Sequence, residues 1–199
     1  KGVDMCGEEL SLAKARMSDG VVELFQLEAQ NLTAINNASI DVVLCHWALT
    51  LMDPITPVLK EINRILSSGG KFAALVNGPM NIAPGYLDVY NLIYKYVQTK
   101  LPNYGKIDLG DPRIRSTKSL EHLVGEVFPS AEISIENNVV SLLGPVTEVS
   151  ETAAGFFYAS FILPTELRMK MLSDLSNLLS VSKQEGRFVM PISRLIIKK

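Results

Sequence analysis

The stretch IDVVLCHW, residues 40–47, decides the fold that this sequence predicts. The run from Val42 to Cys45 is apolar without alternation, which is typical of a parallel strand covered on both faces. We therefore predict a strand buried on both faces, followed at once by His46 and Trp47. Ligands of open α/β sheets bind at the carboxyl ends of the strands, so these two residues mark the expected functional edge.

Short apolar runs alternate with helical patterns on both sides of this stretch. Upstream, residues 2–5 end a strand, residues 8–17 form a helix and residues 21–29 form the next strand. Downstream, residues 53–70 form a helix that ends at a Gly-Gly pair, and residues 71–78 return as a strand. Such alternation indicates βαβ units and a mainly parallel sheet, so the predicted class is α/β.

The pattern changes after Gly78, where strict alternation stops. Residues 83–103 carry four tyrosines between Pro and Gly residues, and we predict an inserted helix or helix pair there. Beyond this segment the sequence predicts a helix in 116–128, a strand in 131–137, helices in 149–162 and 164–183, and a closing strand in 187–199. Tyr86, Tyr90 and Tyr94 recur every four residues, which places them on one helix face.

The composition excludes several classes of partner. Of 199 residues 47% are hydrophobic, and 19 basic against 21 acidic side chains leave a formal charge of −2. This balance gives no basic patch for nucleic acid or an anionic membrane, so a small molecule is the expected ligand. Two cysteines are too few for a disulfide framework, and no apolar run is long enough to span a membrane, which favours a cytoplasmic protein. No cluster of metal ligands and no phosphate-binding loop is visible.

Three phrases in a consistent order carry a resemblance to a known family. They are GVDMCGEELSLAKAR at 2–16, EAQNLTAINNASIDVVLCHWAL at 28–49 and LKEINRILSSGGKF at 59–72. With this order and spacing the chain resembles the class I S-adenosylmethionine-dependent methyltransferases, of the small-molecule, type 11-like group. The resemblance is close over residues 2–78 and extends to the later half only in layout.

The resemblance implies a fold and a division of the chain. The expected fold is a Rossmann-like sheet, mostly parallel with an antiparallel last strand, and an inserted helical cap. Within one methyltransferase-like domain, 1–199, we expect a cofactor-side core at 1–78, the cap at 79–116 and the C-terminal part of the sheet with its helices at 117–199. The implied cofactor is S-adenosylmethionine.

The family also places a first strand and a glycine-rich turn just before the position of Gly2, and no G-x-G occurs in this sequence. We therefore expect an N-terminally incomplete, truncated form that could lack activity; the alternative is a degenerate domain that never binds cofactor. In the family order 3-2-1-4-5-7-6 the absent strand would be central. We predict that residues 2–5 pair directly with residues 40–45, that another chain bridges them, or that the chain is disordered before about Ser39, with a badly formed cofactor site.

The resemblance assigns cofactor contacts to three places. Asp4 would accept hydrogen bonds from the ribose hydroxyls, and Met5 would pack on the adenine; a helix cap and a core methionine are the alternatives. Glu28 and Ala29 stand where the family has an Asp-Ala pair at the adenine amino group, although a solvated loop acid explains Glu28 equally well. The methionine part of the cofactor would lie beside two residues after the buried strand, Cys45 and His46.

The acceptor side of the site is predicted from His46 and the aromatic residues. His46 is the one histidine placed to remove a proton near the reacting methyl group, the alternative being a packed residue beside Trp47. The substrate pocket would be lined by Trp47, Tyr86, Tyr90 and Tyr94, and core packing of the cap explains the same tyrosines without function.

These assignments predict methyl transfer by in-line displacement to an oxygen, nitrogen or carbon of a small-molecule acceptor. Alignment of the two reactants matters more in such chemistry than a strong acid or base. Two other classes stay open: a non-catalytic methyltransferase-like scaffold or partner-binding domain, and a nicotinamide-dependent oxidoreductase. We expect neither nucleic acid nor membrane as a partner, and a homodimer stays open.

Overall fold

The computed structural model describes residues 1–17, 21–105 and 110–199, which form six strands and seven helices. The strands are β1 (Gly2–Asp4), β2 (Leu24–Gln26), β3 (Ile40–His46), β4 (Leu66–Asn77), β5 (Glu132–Pro145) and β6 (Glu185–Lys198). The helices are α1 (Gly7–Arg16), α2 (Ile55–Ile65), α3 (Tyr86–Gln98), α4 (Thr117–Val127), α5 (Val146–Phe156), α6 (Ala159–Ile162) and α7 (Thr165–Leu179). Three short 3-10 turns lie at Ala48–Leu51, Met80–Ile82 and Pro112–Arg115. The predicted α/β class is confirmed.

The strands form two separate sheets. β1 and β2 make a parallel pair, and the other four strands follow the order β3-β4-β6-β5. β3 runs parallel to β4, whereas β6 is antiparallel to both of its neighbours. The predicted mostly parallel sheet with an antiparallel last strand is therefore confirmed, and the strand orders agree with the family's 3-2 and 4-5-7-6.

β1 and β3 do not pair, so the predicted direct closure of the sheet is wrong. The prediction of disorder before Ser39 is also wrong, because β1, α1 and β2 are formed. Each of the described strands β1 and β3 is bonded on one side only. β1 and β2 pair with each other instead. A movement of β3 toward β1 would break the register in which β3 pairs with β4.

β3 is covered on one face only, which corrects the prediction of a strand buried on both. Val42 is 56% exposed and Leu44 78% exposed, while Val43 and Cys45, which point to the other side, are partly buried. Successive side chains of a strand alternate between faces, and α2 and α4 cover just one of them. The opposite face therefore presents apolar side chains without a cover among the described residues.

The main core lies between the four-stranded sheet and the helices α2 and α4. In α2 the apolar residues Ile55, Val58, Leu59, Ile62 and Ile65 recur every three or four positions and are buried. The first four meet strand residues from β4 and β6 such as Phe72 and Leu195, whereas Ile65 packs with Leu32 and Ile35. This packing fixes the carboxyl ends of β3 and β4, from which the candidate site is built.

The glycine pair after α2 has a different role from the predicted one. The helix ends at Ile65, before these glycines, and β4 already begins at Leu66. Gly69 adopts a left-handed conformation with φ of +76° inside β4, where the register with β3 shifts. The pair thus forms an irregularity in the strand, because a left-handed residue is tolerated best when it is glycine.

A second apolar cluster is built from α3, α5, α7 and the start of β6. Its buried members include Tyr86, Ile93, Phe157, Met171 and Phe188. The predicted cap helix exists as α3, and it shares its core with helices from the C-terminal part of the chain. The division at residues 78 and 116 stays a prediction. In the described residues no helix combines the length and apolar character that a membrane crossing requires.

Candidate functional site

Asp4 ends β1 and leads directly into α1. Its Oδ1 accepts a hydrogen bond from the backbone N–H of Cys6 at 2.8 Å, which supports the chain where it enters the helix. Among the described residues no donor meets Oδ2, so one oxygen of this exposed carboxylate is available. Met5 follows with 70% of its side chain exposed. The structure is thus compatible with both readings of Asp4, as a cap and as a ligand-binding acid.

The loop after β2 carries Glu28 and Ala29. The Glu28 carboxylate is exposed and accepts a hydrogen bond from Gln30 Nε2 at 2.7 Å. Ala29 is partly buried and packs against the main core cluster, which also contacts Cys45. The loop therefore brings the predicted adenine-binding pair to the same side of the core as the end of β3.

Arg64 of α2 holds the rest of this loop in place. Its guanidinium donates to the carbonyl oxygens of Leu32 and Ile35 at 2.8 and 2.9 Å, and Glu61 accepts from Leu32 N–H at 2.7 Å. Arg64 and Glu61 also bond to each other at 2.8 Å, which lowers the pKa of Glu61 and keeps it ionised. This ion pair anchors the loop between β2 and β3 to α2.

Cys45, His46 and Trp47 leave the carboxyl end of β3, as predicted. Burial raises the pKa of the Cys45 thiol, more than hydrogen bonds from the backbone of Leu49 and Ala48 lower it, so the thiol stays protonated at neutral pH. His46 is exposed and lies edge-on to Trp47, with ring centroids 6.0 Å apart. Of these three groups, the imidazole is the one whose chemistry suits a general base.

Trp47 adopts a left-handed backbone conformation, with φ of 62°. This conformation is uncommon for a bulky residue and costs free energy, so the surroundings must hold it. Its N–H donates to Leu75 O of β4 at 3.0 Å, and its carbonyl accepts from both the N–H and the hydroxyl of Thr50 at 3.0 and 2.6 Å. These bonds fix the backbone of Trp47 at the sheet edge.

An aromatic path connects Trp47 to the tyrosines of α3. Trp47 packs edge-on against Phe156 at 5.4 Å, and Phe156 against Phe157 at 5.3 Å. Phe157 in turn contacts Tyr90 at 6.1 Å and Tyr94 at 6.4 Å. The structure thus links the predicted acceptor residues of β3 and α3, which are distant in sequence.

The three predicted tyrosines do not have equivalent positions. Tyr86 is buried and stacks on Phe188 at 6.1 Å, so it is part of the core. Tyr90 and Tyr94 are half-buried and stack on each other at 3.8 Å. Tyr104, which the sequence did not single out, completes the group by packing on Tyr94 at 4.9 Å and donating a hydrogen bond to Phe157 O. The sequence feature that could have indicated Tyr104 is the Tyr-Gly pair at 104–105, just beyond the cap helix.

Burial keeps the hydroxyls of Tyr86, Tyr94 and Tyr104 protonated. It raises the pKa of Tyr86 to about 12, and it raises the pKa values of Tyr94 and Tyr104 as well. Tyr96, on another side of α3, donates to Asp174 at 2.5 Å, and this bond raises its pKa to about 12. These phenols can donate hydrogen bonds but cannot serve as bases at neutral pH.

The protein is expected to lose stability as the pH rises from about 10 toward 12. Tyrosine in an unfolded chain ionises near pH 10, whereas the folded chain holds the protons of Tyr86 and Tyr96 to about pH 12. The folded state therefore binds more protons over this interval, and its free energy of unfolding falls. Urea unfolding at increasing pH measures the slope. Tyr86→Phe should make it shallower, and an unchanged slope would contradict the burial argument.

The described residues contain no group of three or more His, Cys, Asp or Glu side chains that could hold a metal ion. The candidate site therefore consists of an exposed acid at the end of β1, a loop after β2 that is anchored on α2, and the histidine and tryptophan at the end of β3. All three lie at the carboxyl ends of strands, where open α/β sheets bind their ligands.

Comparison with known proteins agrees with this layout. Residues 1–74 match the family model described as a methyltransferase domain. A candidate methyltransferase of Bacillus halodurans shares 15% identity and a TM-score of 0.61, over 99% of this chain and 81% of that one. The YcgJ protein of Bacillus subtilis shares 13% identity and a TM-score of 0.59, over 100% and 81% of the two chains. No curated protein sequence matches this chain.

A third structure includes ligands. Phosphoethanolamine N-methyltransferase 2 of Haemonchus contortus, solved with phosphomonomethylethanolamine and S-adenosylhomocysteine, has a TM-score of 0.55 and 15% identity, and the match covers 100% of this chain and 42% of that one. At such identities the likeness establishes the fold. Together with the match over residues 1–74, it confirms the predicted resemblance to class I S-adenosylmethionine-dependent methyltransferases and supports S-adenosylmethionine as the cofactor.

Proposed function

We propose that this protein transfers a methyl group from S-adenosylmethionine to a small-molecule acceptor. The proposal is carried by one observation: the side chains assigned to the cofactor, together with Trp47 on the acceptor side, lie at or just after the carboxyl ends of β1, β2 and β3, in the part of the chain that matches a methyltransferase domain. The alternative, a non-catalytic scaffold with the same sheet, differs in predicting no cofactor binding.

The residues present fit the adenosine half of the cofactor. Asp4 offers a free carboxylate oxygen to the ribose hydroxyls, and such charge-assisted bonds are worth about 1.5–3 kcal/mol each. Ala29, held against the core, would flank the adenine together with Glu28. When bound, S-adenosylmethionine supplies a methyl group on a positively charged sulfur. The neutral Cys45 thiol and the exposed His46 would lie on the side of that group.

The acceptor would be held by the aromatic residues between Trp47 and Tyr94. Trp47 is held by three hydrogen bonds to its backbone and by the ring contact with Phe156. Tyr90 is half-buried at the other end of the aromatic path, against Phe157. A rigid apolar wall orients a small acceptor and excludes water, which is what a displacement reaction requires. His46 is the group we assign to proton removal. Amines are the first acceptors to screen, because a related fold belongs to a phosphoethanolamine N-methyltransferase.

We further propose that a strand pairs with both β1 and β3 in the active protein. The outer edges of these strands carry no partner among the described residues, and the exposed Val42 and Leu44 form an apolar surface next to the gap. Unpaired backbone groups and bare apolar area at a sheet centre are costly, so a covering strand would stabilise this region.

Cofactor binding tests the proposed function. We would measure the melting temperature of the protein with S-adenosylmethionine, S-adenosylhomocysteine and NAD in separate titrations. A rise with the first two and not with NAD supports the proposal. A rise with NAD alone would favour an oxidoreductase, and no rise with any of the three would favour the scaffold.

Asp4→Ala is expected to weaken S-adenosylhomocysteine binding at least tenfold, about 1.4 kcal/mol. Loss of the exposed hydrogen bond to Cys6 N–H should also cost about 0.5–1.5 kcal/mol of stability, as for an ordinary intramolecular hydrogen bond. Calorimetry separates the two effects. Glu9→Ala, at an exposed acid in the first turn of α1, is the matched control and should leave the affinity unchanged. Equal affinities of Asp4→Ala and the parent would leave Asp4 as a cap only.

Tyr90→Ala is expected to raise KM for an acceptor found by screening, while cofactor affinity stays within twofold of the parent. The reason is that Tyr90 lies on the aromatic path, away from the residues assigned to the cofactor. Leu87→Ala, at an exposed position of the same helix, is the control. A Tyr90→Ala protein with parent-like kinetics would remove this residue from the acceptor site.

A further inference from the structure

The outer edge of β5 is a long, regular strand without the features that normally protect such an edge. β5 pairs with β6 at every position from Glu132 to Pro145, with no bulge in the register. It has no second partner strand among the described residues, because it ends the order β3-β4-β6-β5. Proteins usually blunt an open edge with charged side chains, proline, a bulge or a very short strand. From residue 137 to residue 144 β5 has none of these.

This unprotected part of the edge is also its most apolar part. Its four large apolar side chains are all exposed: Val139, Val140, Leu142 and Leu143. The one polar residue between them is Ser141, whose hydroxyl accepts a long hydrogen bond from Arg187 at 3.3 Å. An exposed apolar segment with free backbone groups is a template for another strand.

The segment is complementary to itself in an antiparallel arrangement. With a two-fold axis through Ser141, Val139 of one chain lies opposite Leu143 of the other, and Val140 opposite Leu142. Directly opposite residues share a face of the sheet, so both pairs are apolar contacts, each of which occurs twice. Glu136, the nearest charged residue of β5, falls outside this pairing and is already bonded to Arg194 of β6.

We propose that two copies of this chain associate through residues 138–144 of β5 and form one continuous sheet across a two-fold axis. An isologous interface requires a patch that complements itself, and this segment meets that condition because its apolar residues lie opposite one another and it carries no charge. The edge lies across β6 and β4 from the candidate site on β3, so the dimer leaves the site of each copy open. The proposal does not depend on the proposed catalytic activity.

Cysteine cross-linking tests the axis. In the proposed dimer the Cα atoms of the two Ser141 residues are directly opposite, about 4.5–5.5 Å apart, which suits a disulfide. In a background with Cys6 and Cys45 replaced by alanine, Ser141→Cys should form a covalent dimer on mild oxidation. Ser134→Cys, also exposed on β5, is the matched control, because its two copies would be about 46 Å apart. Equal cross-linking of the two variants, or none at Ser141→Cys, would overturn the proposal.

Charge substitution tests the register. Val140→Lys with Leu142→Lys should lower the dimer fraction at least tenfold in sedimentation, since two lysines then face each other twice. Val140→Lys with Leu142→Glu places opposite charges face to face and should restore much of the dimer. Met169→Lys, at an exposed apolar position of α7, should leave it unchanged. A monomeric parent protein would refute the proposal. A dimer whose fraction neither double variant changes would also refute it, because such a dimer forms elsewhere, for example at the β3 edge.

Discussion

Gly78→Ala is expected to lower the free energy of unfolding by about 1–3 kcal/mol or more, the cost of forcing atoms into a filled space. Gly78 is buried just beyond β4 and donates its N–H to Pro191 O at 3.2 Å. A Cβ there would lie 2.7 Å from the backbone C and N atoms of Ile192. Because these neighbours are main chain of β6, they cannot rotate away as a flexible side chain could.

The effect should reach the candidate site, since β4 carries the carbonyl of Leu75 that fixes Trp47. Gly125→Ala is the matched control: this glycine lies within α4, and a Cβ would meet nothing within 4 Å. Removing a glycine from a helix interior should stabilise the protein by about 0.5–1 kcal/mol. Urea unfolding of both variants gives the comparison, and equal stabilities would show that β6 can move at this point.

Phe157→Ala is expected to cost about 3–5 kcal/mol, the range for removing a buried phenylalanine. Phe157 is 7% exposed and contacts Tyr86, Tyr90, Tyr94 and Phe156. Its loss opens a cavity in the cluster that joins α3 to α5, so the path from Trp47 to the tyrosines is interrupted.

Phe161→Ala is the control, because it is the same substitution four residues later in the sequence. Phe161 is 80% exposed, and its truncation should change the stability by no more than about 0.5 kcal/mol. If Phe157→Ala folds, we expect weaker acceptor binding with cofactor binding retained. Similar losses of stability in the two variants would mean that the aromatic cluster packs loosely.

The large features of the fold could be predicted because each of them depends on a local sequence pattern. The apolar run at 42–45, the spacing of Ile55, Val58, Leu59 and Ile62 in α2, and the tyrosines of α3 each indicate one element through its own periodicity. The order of phrases over residues 2–72 then places these elements in a known sheet. For the positions of these elements, the local periodicity and the order of the family phrases gave the same prediction.

The features that the sequence did not predict depend on distant partners. β5 extends from a predicted end at residue 137 to Pro145, because β6 pairs with every added residue. The sequence predicts that Val42 and Leu44 are buried, yet no element of the described chain covers them. The contact of Trp47 with Phe156 joins residues more than 100 positions apart and has no local signal. Such contacts follow from packing, which a pattern along the chain does not encode.

The split into two sheets has a consequence for local unfolding. The unit formed by β1, α1 and β2 has three-residue strands and a helix without a single buried residue, so little apolar area holds it together. Its amide protons should exchange with solvent at a low free energy of opening, well below that of β4 and β6 in the main core. A ligand bound to Asp4 would stabilise this unit. Hydrogen exchange would then detect the binding as protection of those amides.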